Sequence, residues 1–247
     1  MKDELTLFGL RAVIEAIQAG RDIDHIWVKS DLHSELAHEL RQVLQGKHIP
    51  VSRVPAERIN RMAHGKNHQG VVAQVAAVTY QHVEDIIPTI YEAGRDPLLM
   101  MLDGITDVRN FGAIARTCHC AGADAIVIPA KGSVSVNADA VKTSAGALHS
   151  LPVCRENSLK QTIRLLKQSG LRVVAASEKA KQTYTDTDLT GPLCLLMGAE
   201  DRGVDPQNLA LCDNWVRIPM FGDIESLNVS VAAGILVYEV IRQRNNR

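Results

Sequence analysis

Three short segments in the second half of the chain carry the polar residues best placed to perform chemistry. They are LDGITDVRNFGAIAR with Asn110 and Arg116, LLMGAEDRG with Glu200, and IPMFGDIESLNVSVAAG with Ser226 and Asn228. In each, a strand-like apolar run is followed by a polar loop and then by a helical pattern. Open α/β sheets bind ligands outside the carboxyl ends of their strands, so these loops together predict an enzyme site.

Arg116 is the unusual residue of the first segment. Its neighbours Ile114, Ala115 and Cys118 are apolar or small, which favours a guanidinium directed into a site rather than along a polar helix face. The fork of donors on that group suits a phosphate. An exposed or ion-paired arginine on an amphipathic helix is the alternative, and the residues alone leave it open.

The second and third loops have plainer alternatives as well. The spacing of Gly198 and Gly203 resembles a phosphate loop, but Val204 and Asp205 stand where a lysine and a serine or threonine are required, which disfavours nucleoside triphosphate binding. Glu200 could be a solvated turn residue. In the third loop Ser226 or Asn228 can cap a helix that begins near Val229, and capping alone would explain Asn228.

The elements that must position these loops predict an α/β fold. Near-continuous apolar strand candidates alternate with helix candidates from Leu98 onward, which indicates a parallel sheet covered on both faces. Upstream, helix and strand patterns alternate up to about residue 77. We therefore predict a small α/β domain over 1–77, a linker over 78–97 and the main domain over 98–247, with the last helix buried in the core or in a subunit interface.

The amino-acid composition restricts the classes of partner and the cellular compartment that we expect. Lysine and arginine total 27 against 28 aspartate and glutamate, so the net charge of -1 gives no global signature of nucleic-acid binding. The five cysteines are odd in number and lack C-x-x-C spacing, which fits a reduced cytoplasmic protein. Cys118-His119-Cys120 does not predict a metal site, since adjacent helical positions point in different directions. No secretory signal and no membrane span are expected.

A local basic cluster in the first domain could grip an RNA backbone. Four cations lie within fourteen residues and are opposed only by Glu57, which gives a local charge of +3. His68 and its polar neighbours add hydrogen-bonding groups suited to RNA loops. A solvated helix face is the alternative. The RNA-binding candidates are Arg53, Arg58, Arg61, Lys66 and His68.

The sequences N-F-G-A-I-A-R, L-M-G-A-E-D-R-G and I-P-M…S-L-N-V-S-V-A resemble, in order, the three motifs of the SpoU/TrmH family of RNA 2'-O-ribose methyltransferases, within the SPOUT class. The resemblance covers about residues 98–245. The upstream module, which includes the His68-Gln69-Gly70 turn, is similar to the ribosomal-protein-like substrate-binding domain of the family. The resemblance implies a C-terminal trefoil knot, a feature that periodicity cannot reveal.

The same resemblance implies S-adenosyl-L-methionine as cofactor and a homodimer whose interface adjoins the site. Its functional residues carry over as catalytic Asn110, Arg116, Glu200, Asn228 and Ser226, and as cofactor-binding Gly198, Ile218 and Leu227. The implied substrate is a guanosine ribose of large-subunit (23S) ribosomal RNA. A transfer RNA target and a non-catalytic RNA-binding or ribosome-assembly protein are the alternatives.

The implied reaction assigns each polar residue a role. Arginine is a poor base because its pKa exceeds about 12, so we expect Arg116 to clamp an RNA phosphate and to stabilise the developing alkoxide. Glu200 would orient Arg116 or accept the ribose proton. Asn110 and Asn228 would hold the loops and the ribose.

Overall fold

The computed structural model describes residues 5–47 and 49–246 of the chain. The chain divides into two compact units. The first comprises residues up to Thr79 together with Ser135–Asp139, and the second comprises Tyr80–Val134 and Ala140–Arg247.

The first unit is a small α/β sandwich built on a four-stranded mixed sheet in the order β1-β4-β2-β3, in which only the β2–β3 pair is parallel. Helices α1 and α2 pack their apolar residues on one sheet face, and α3 packs on the other. The elements are β1 (Thr6–Phe8), α1 (Leu10–Gln18), β2 (Ile23–Lys29), α2 (Glu35–Val43), β3 (Val51–Val54), α3 (Ala56–Ala63) and β4 (Val71–Val75).

Side chains satisfy two of the helix starts in this unit. Ser34 caps α2 by accepting a hydrogen bond from the backbone N–H of Ala37 at 3.1 Å. Helix α1 follows Gly9, which has no side chain, and its first N–H, that of Leu10, donates instead to Oε1 of Gln69 at 3.2 Å. The turn before β4 therefore supplies the missing cap across the fold.

The second unit is built on eight strands in the order β10-β12-β9-β11-β6-β7-β8-β5, and every pairing in this sheet is parallel. This confirms the predicted parallel α/β domain. Its strands are β5 (Tyr80–Gln81), β6 (Leu98–Asp103), β7 (Ala125–Pro129), β8 (Val153–Glu156), β9 (Arg172–Ala176), β10 (Gln182–Thr183), β11 (Leu193–Gly198) and β12 (Asn214–Arg217).

Six helices accompany these strands. They are α4 (Val83–Glu92), α5 (Val108–Cys120), α6 (Ala138–Thr143, which crosses the boundary between the units), α7 (Leu159–Gln168), α8 (Pro206–Leu209) and α9 (Val229–Asn245). The four longest central strands, β6, β7, β9 and β11, are buried along almost their whole length, as strands covered on both faces must be.

The predicted linker over 78–97 differs from what the structure shows. Within it, β5 pairs with β8, and α4 places Val83, Ile86, Ile87 and Ile90 in the main core of the second unit. Pro88 lies inside α4 without ending it. The prolines and glycine suggested a break, but the apolar residues are spaced at helical intervals, and burying them outweighs the local breaker signal.

Candidate active site

The first and second loops meet where the strand order reverses. Strand β6 continues to β7 and β8 on one side, whereas β11 lies on its other side, so the loops after β6 and β11 flank a topological switch point, where open sheets bind ligands. Asp103 joins these loops, because its Oδ2 accepts hydrogen bonds from the backbone N–H of Asp205 at 2.8 Å and from Nδ2 of Asn208 at 2.9 Å.

Asn228 joins the third loop to both of the others. Its Nδ2 donates to Oδ1 of Asn110 at 2.9 Å and to Oε1 of Glu200 at 2.8 Å. The same carboxylate oxygen accepts the backbone N–H of Val229 at 3.3 Å. Three of the predicted catalytic residues, from segments up to 118 residues apart, therefore form one connected hydrogen-bonded group.

Two helix N-termini face this group. Asp107 caps α5 by accepting the backbone N–H groups of Arg109 and Asn110, and these hydrogen bonds lower the pKa of its carboxyl group. Asn228 caps α9 through Oδ1, which accepts the N–H of Ser230 at 2.9 Å. Glu200 lies beside the start of α9, where its Oε1 accepts the backbone N–H of Val229. The predicted capping by Asn228 is confirmed, and capping is only part of its role.

Two glycines allow the backbone to pack closely beside the loops. A Cβ on Gly112 would lie 2.6 Å from Cβ of Thr143, as expected for a helix start kept slim. A Cβ on Gly198 would lie 2.1 Å from backbone atoms of both Gly203 and Val204. The second loop thus folds back over the end of β11, closed by a hydrogen bond from the N–H of Gly203 to the carbonyl oxygen of Ala199.

Arg116 and Ser226 are not part of the connected group. Arg116 is exposed on α5, six residues after Asn110, which corresponds to a rise of about 9 Å along the helix. Within the described chain it forms no ion pair with Glu200, whose partners are the third loop and the start of α9. Ser226 is exposed in the third loop.

Two of the three cofactor candidates lie at the carboxyl ends of neighbouring parts of the sheet, and the third is in the third loop. Gly198 ends β11 and Ile218 directly follows β12, and these two strands flank β9, so their carboxyl ends are about 10 Å apart at the same edge. Leu227 precedes Asn228 and is 37% exposed. Ile218 is also partly exposed, so both apolar side chains are accessible to solvent.

The RNA-binding candidates of the first unit do not form one cluster. Val54 packs with Ile59 beneath α3, so alternation along β3 directs Arg53 to the opposite sheet face, where it lines a pocket with α2. Arg58 and Arg61 are exposed on α3. Sequence proximity suggested a single patch, but the sheet separates Arg53 from the arginines of α3.

His68 and Lys66 already have contacts within this unit. Nδ1 of His68 accepts the backbone N–H of Gly70 at 3.0 Å, which leaves Nε2 to donate to Oδ1 of Asn60 at 2.8 Å. The ammonium group of Lys66 lies 4.7 Å from the ring centroid of Phe8. His68 therefore helps to shape the turn before β4, whatever its role toward RNA.

Sequence reasoning missed the residues that link the first two loops. Arg202 lies over Gly104, where an added Cβ would be 2.3 Å from its terminal nitrogen, and Asp103 and Asn208 tie β6 to α8. The available signal was Asp103, the polar residue that ends the apolar strand β6, at a position that open sheets use for ligands.

The remaining polar and thiol groups add little to the site. All five cysteines are free thiols, and burial raises the pKa of Cys118 and Cys154 to about 12. The described residues include no group of three or more histidine, cysteine or acidic side chains arranged to hold a metal ion. In the described part of the chain, no helix has the length and apolar character needed to cross a bilayer.

Comparison with known proteins identifies the class. The SpoU rRNA Methylase family model matches residues 97–238, and a model for RNA 2'-O ribose methyltransferase substrate binding matches residues 6–81. The chain therefore belongs to the SpoU family of RNA 2'-O-ribose methyltransferases and is an enzyme of that class.

Individual relatives cover both units. The putative TrmH family tRNA/rRNA methyltransferase YacO of Bacillus subtilis is 35% identical over 97% of this chain and 96% of its own length. The 23S rRNA (guanosine-2'-O-)-methyltransferase RlmB of Photobacterium profundum is 35% identical over 96% of this chain and 97% of its own. The SpoU methyltransferase AviRb of Streptomyces viridochromogenes, solved with AdoMet, superimposes with a TM-score of 0.62 at 25% identity, covering 98% and 91% of the two chains.

Proposed function

We propose that this enzyme transfers a methyl group from S-adenosyl-L-methionine to the ribose 2'-oxygen of a guanosine in 23S ribosomal RNA. The observation that carries the proposal is the Asn228 side chain, which joins Asn110 and Glu200 from the two loops at the switch point. The ribosomal target is supported by the relative from Photobacterium profundum, which shares both units with this chain along nearly its whole length.

S-adenosyl-L-methionine supplies a methyl group activated by its sulfonium centre. The protein would hold it through Gly198, Ile218 and Leu227, around the carboxyl ends of β11 and β12. This placement leaves the connected group of Asn110, Glu200 and Asn228 free to face the RNA. Positioning of this kind can supply most of the acceleration of a displacement reaction.

Protein side chains would accept the ribose proton, position the ribose and stabilise the attacking oxygen. Glu200 accepts hydrogen bonds from Asn228 and from the backbone of Val229, and it is the group of the three best suited to accept the proton of the ribose hydroxyl. Asn110 and Asn228 keep that carboxylate in position and can also hydrogen-bond the ribose. Arg116, exposed and free of a carboxylate partner in the described chain, would bind the adjacent phosphate and stabilise negative charge on the attacking oxygen. Ser226 is a further candidate for ribose contact from the third loop.

The first unit would select the RNA. Arg53, Arg58, Arg61, Lys66 and His68 remain its candidate contacts, and the match to a substrate-binding family model over residues 6–81 supports this role. We also propose that the C-terminal segment forms a trefoil knot, which is compatible with the insertion of β11 between β6 and β9, and that the enzyme works as a homodimer.

The test measures transfer of a labelled methyl group to a fragment of large-subunit ribosomal RNA, followed by mapping of the modified nucleotide. We expect Arg116→Ala and Glu200→Gln to reduce kcat by about 10²-fold or more, the range associated with loss of one electrostatic or acid–base contribution. Arg164→Ala and Glu92→Gln make the same charge changes at exposed positions on α7 and α4, outside the three loops, and should leave turnover unchanged.

Near-normal turnover by both Arg116→Ala and Glu200→Gln would discard this arrangement of the site. Methylation of transfer RNA in preference to the ribosomal fragment would overturn the proposed target while keeping the reaction. An absence of S-adenosyl-L-methionine binding by the intact protein would favour a non-catalytic RNA-binding role.

A further inference from the structure

The first unit contains a pocket between α2 and the edge of its sheet, which we call the α2–β3 pocket. Its floor is apolar and includes Leu32, Leu40, Leu44 and Val51. The pocket is open to solvent on one side and has a cavity volume of about 90 Å³. It is smaller than the sites that enclose a whole ligand, so it can receive part of a planar ring while the attached sugar stays at its open side.

Basic side chains surround this apolar floor. Lys29, His33, Arg41 and Arg53 line the pocket, and no acidic residue is among its described lining. Lys29 pairs with Asp31 at 3.2 Å, but that aspartate is 70% exposed and lies outside the lining. The pocket therefore presents a net positive rim in a protein whose overall charge is -1.

Two of these cations are available for a ligand. Arg41 uses only Nε within the fold, donating to the carbonyl oxygen of Ala37 at 3.1 Å, and this bond aligns the guanidinium along α2. The side chain of Arg53 is exposed and forms no hydrogen bond or ion pair with the described residues. Guanidinium groups bind phosphate through paired donors and also stack on nucleobases.

We infer that the α2–β3 pocket binds one unpaired nucleotide of the RNA substrate, with the base against the apolar floor and its phosphates on Arg41 and Arg53. The inference needs both the apolar floor and the basic side chains. An apolar floor alone would not select an anion, and a basic surface alone would bind phosphate without holding a base. Unpaired bases in loops and bulges are what RNA-binding domains most often recognise.

The inference rests on the proposed function, because it takes the RNA substrate as the source of the nucleotide. It adds a specific claim to that function, which is that the base and not only the phosphate contributes to binding in the first unit. It also separates Arg53 from the arginines of α3, which lie on the other sheet face.

Binding to the full-length protein is measured by fluorescence anisotropy with a short labelled single-stranded RNA and with the same RNA carrying one abasic ribose at its centre. We expect the abasic RNA to bind about tenfold more weakly, because it has no base to bury against the apolar floor. Arg53→Ala and Arg41→Ala should each weaken binding of both RNAs about threefold to tenfold and reduce the salt dependence by about one ion.

Val51→Trp tests the floor without changing the charge. Val51 is 45% exposed on an edge strand, where an aromatic residue is tolerated, and the larger ring would fill the pocket. We expect this variant to bind the intact RNA only as tightly as the abasic RNA. Arg21→Ala removes an exposed cation elsewhere in the unit and is the matched control, and thermal denaturation checks that each variant is folded.

The inference is overturned if the intact and abasic RNAs bind the wild-type protein equally, or if Arg53→Ala has no greater effect than Arg21→Ala. Methyl transfer and S-adenosyl-L-methionine binding are measured on the wild-type protein in parallel. If methyl transfer is normal but the intact and abasic RNAs bind equally, only the inference about the pocket is rejected. If the protein binds no methyl donor, the proposed function is rejected, whereas the RNA-binding result for the pocket still holds.

Discussion

At the scale of single residues, the site depends on the amide of Asn228. One oxygen caps α9 while the nitrogen donates to Asn110 and Glu200, so a single side chain fixes the start of a helix and the relative position of three loops. A carboxylate held in this way loses little conformational entropy when the ribose arrives, which is the physical basis of preorganisation.

Substitution of Asn228 separates these two roles. Asn228→Ser keeps a side-chain oxygen that can cap α9 but removes the amide donor, so we expect near-wild-type stability and a fall in kcat of about 10²-fold. Asn228→Ala removes both functions and should also lower the free energy of unfolding by about 1 kcal/mol. Chemical denaturation and methyl-transfer kinetics measure the two effects, and full activity of Asn228→Ser would mean that Asn228 acts only as a cap.

The limits of sequence reasoning are clear at this scale. Helix starts at Asp107 and Asn228 follow from local chemistry, and the roles of Asn110 and Glu200 came only through a resemblance to known motifs. Periodicity within a segment carries no information about which loops meet across 118 residues. Arg53 and Arg58 show that residues close in sequence can also lie far apart. Arg53 is in β3 and lies on the α2 side of the sheet, whereas Arg58 is in α3 on the other side.

At the scale of elements, long apolar runs were predictable and short strands were not. Strands β6 and β11 are six residues each and bury five of them, which leaves a strong signal. Strands β1, β5 and β10 have three or two residues, too few to show a period, and exist because neighbouring strands offer hydrogen-bonding partners. For α4 two local signals conflict, because Pro88 predicts a break whereas the apolar residues recur at helical spacing.

The second loop folds closely over Gly198, the last residue of β11, so this position has no room for a side chain. In Gly198→Ala the new Cβ would meet the backbone of Gly203 and Val204 at 2.1 Å, so the loop must move. We expect a loss of about 1–3 kcal/mol in stability, as for other overpacked sites, and at least tenfold weaker S-adenosyl-L-methionine binding by calorimetry.

Gly222→Ala is the matched control, because Gly222 lies in the third loop and an added Cβ there meets no atom within 4 Å. Its stability and cofactor affinity should remain close to those of the wild-type protein. If Gly198→Ala bound the cofactor as tightly as Gly222→Ala, the second loop would not form part of the cofactor site.

At the scale of the whole molecule, α9 is not fully covered by its own chain. Val231 and Tyr238 are 51% and 50% exposed, seven residues apart and thus on one side of the helix. Gly234 lies between them and faces Thr117 of α5, where an added Cβ would be 3.6 Å from Cγ2. This apolar strip therefore lies on a part of α9 that adjoins α5, the helix that carries Arg116.

If the strip is the subunit interface of the proposed homodimer, a charge placed in it must weaken assembly. Val231→Glu and Tyr238→Glu would each bury a carboxylate without a partner, and we expect the dimer dissociation constant to rise by at least about 10²-fold, since such burial costs several kcal/mol. Sedimentation velocity measures the state, with Val51→Glu, a similarly exposed valine of the first unit, as control. A monomeric wild-type protein would refute the proposed homodimer. Variants that remain dimeric would place the interface elsewhere.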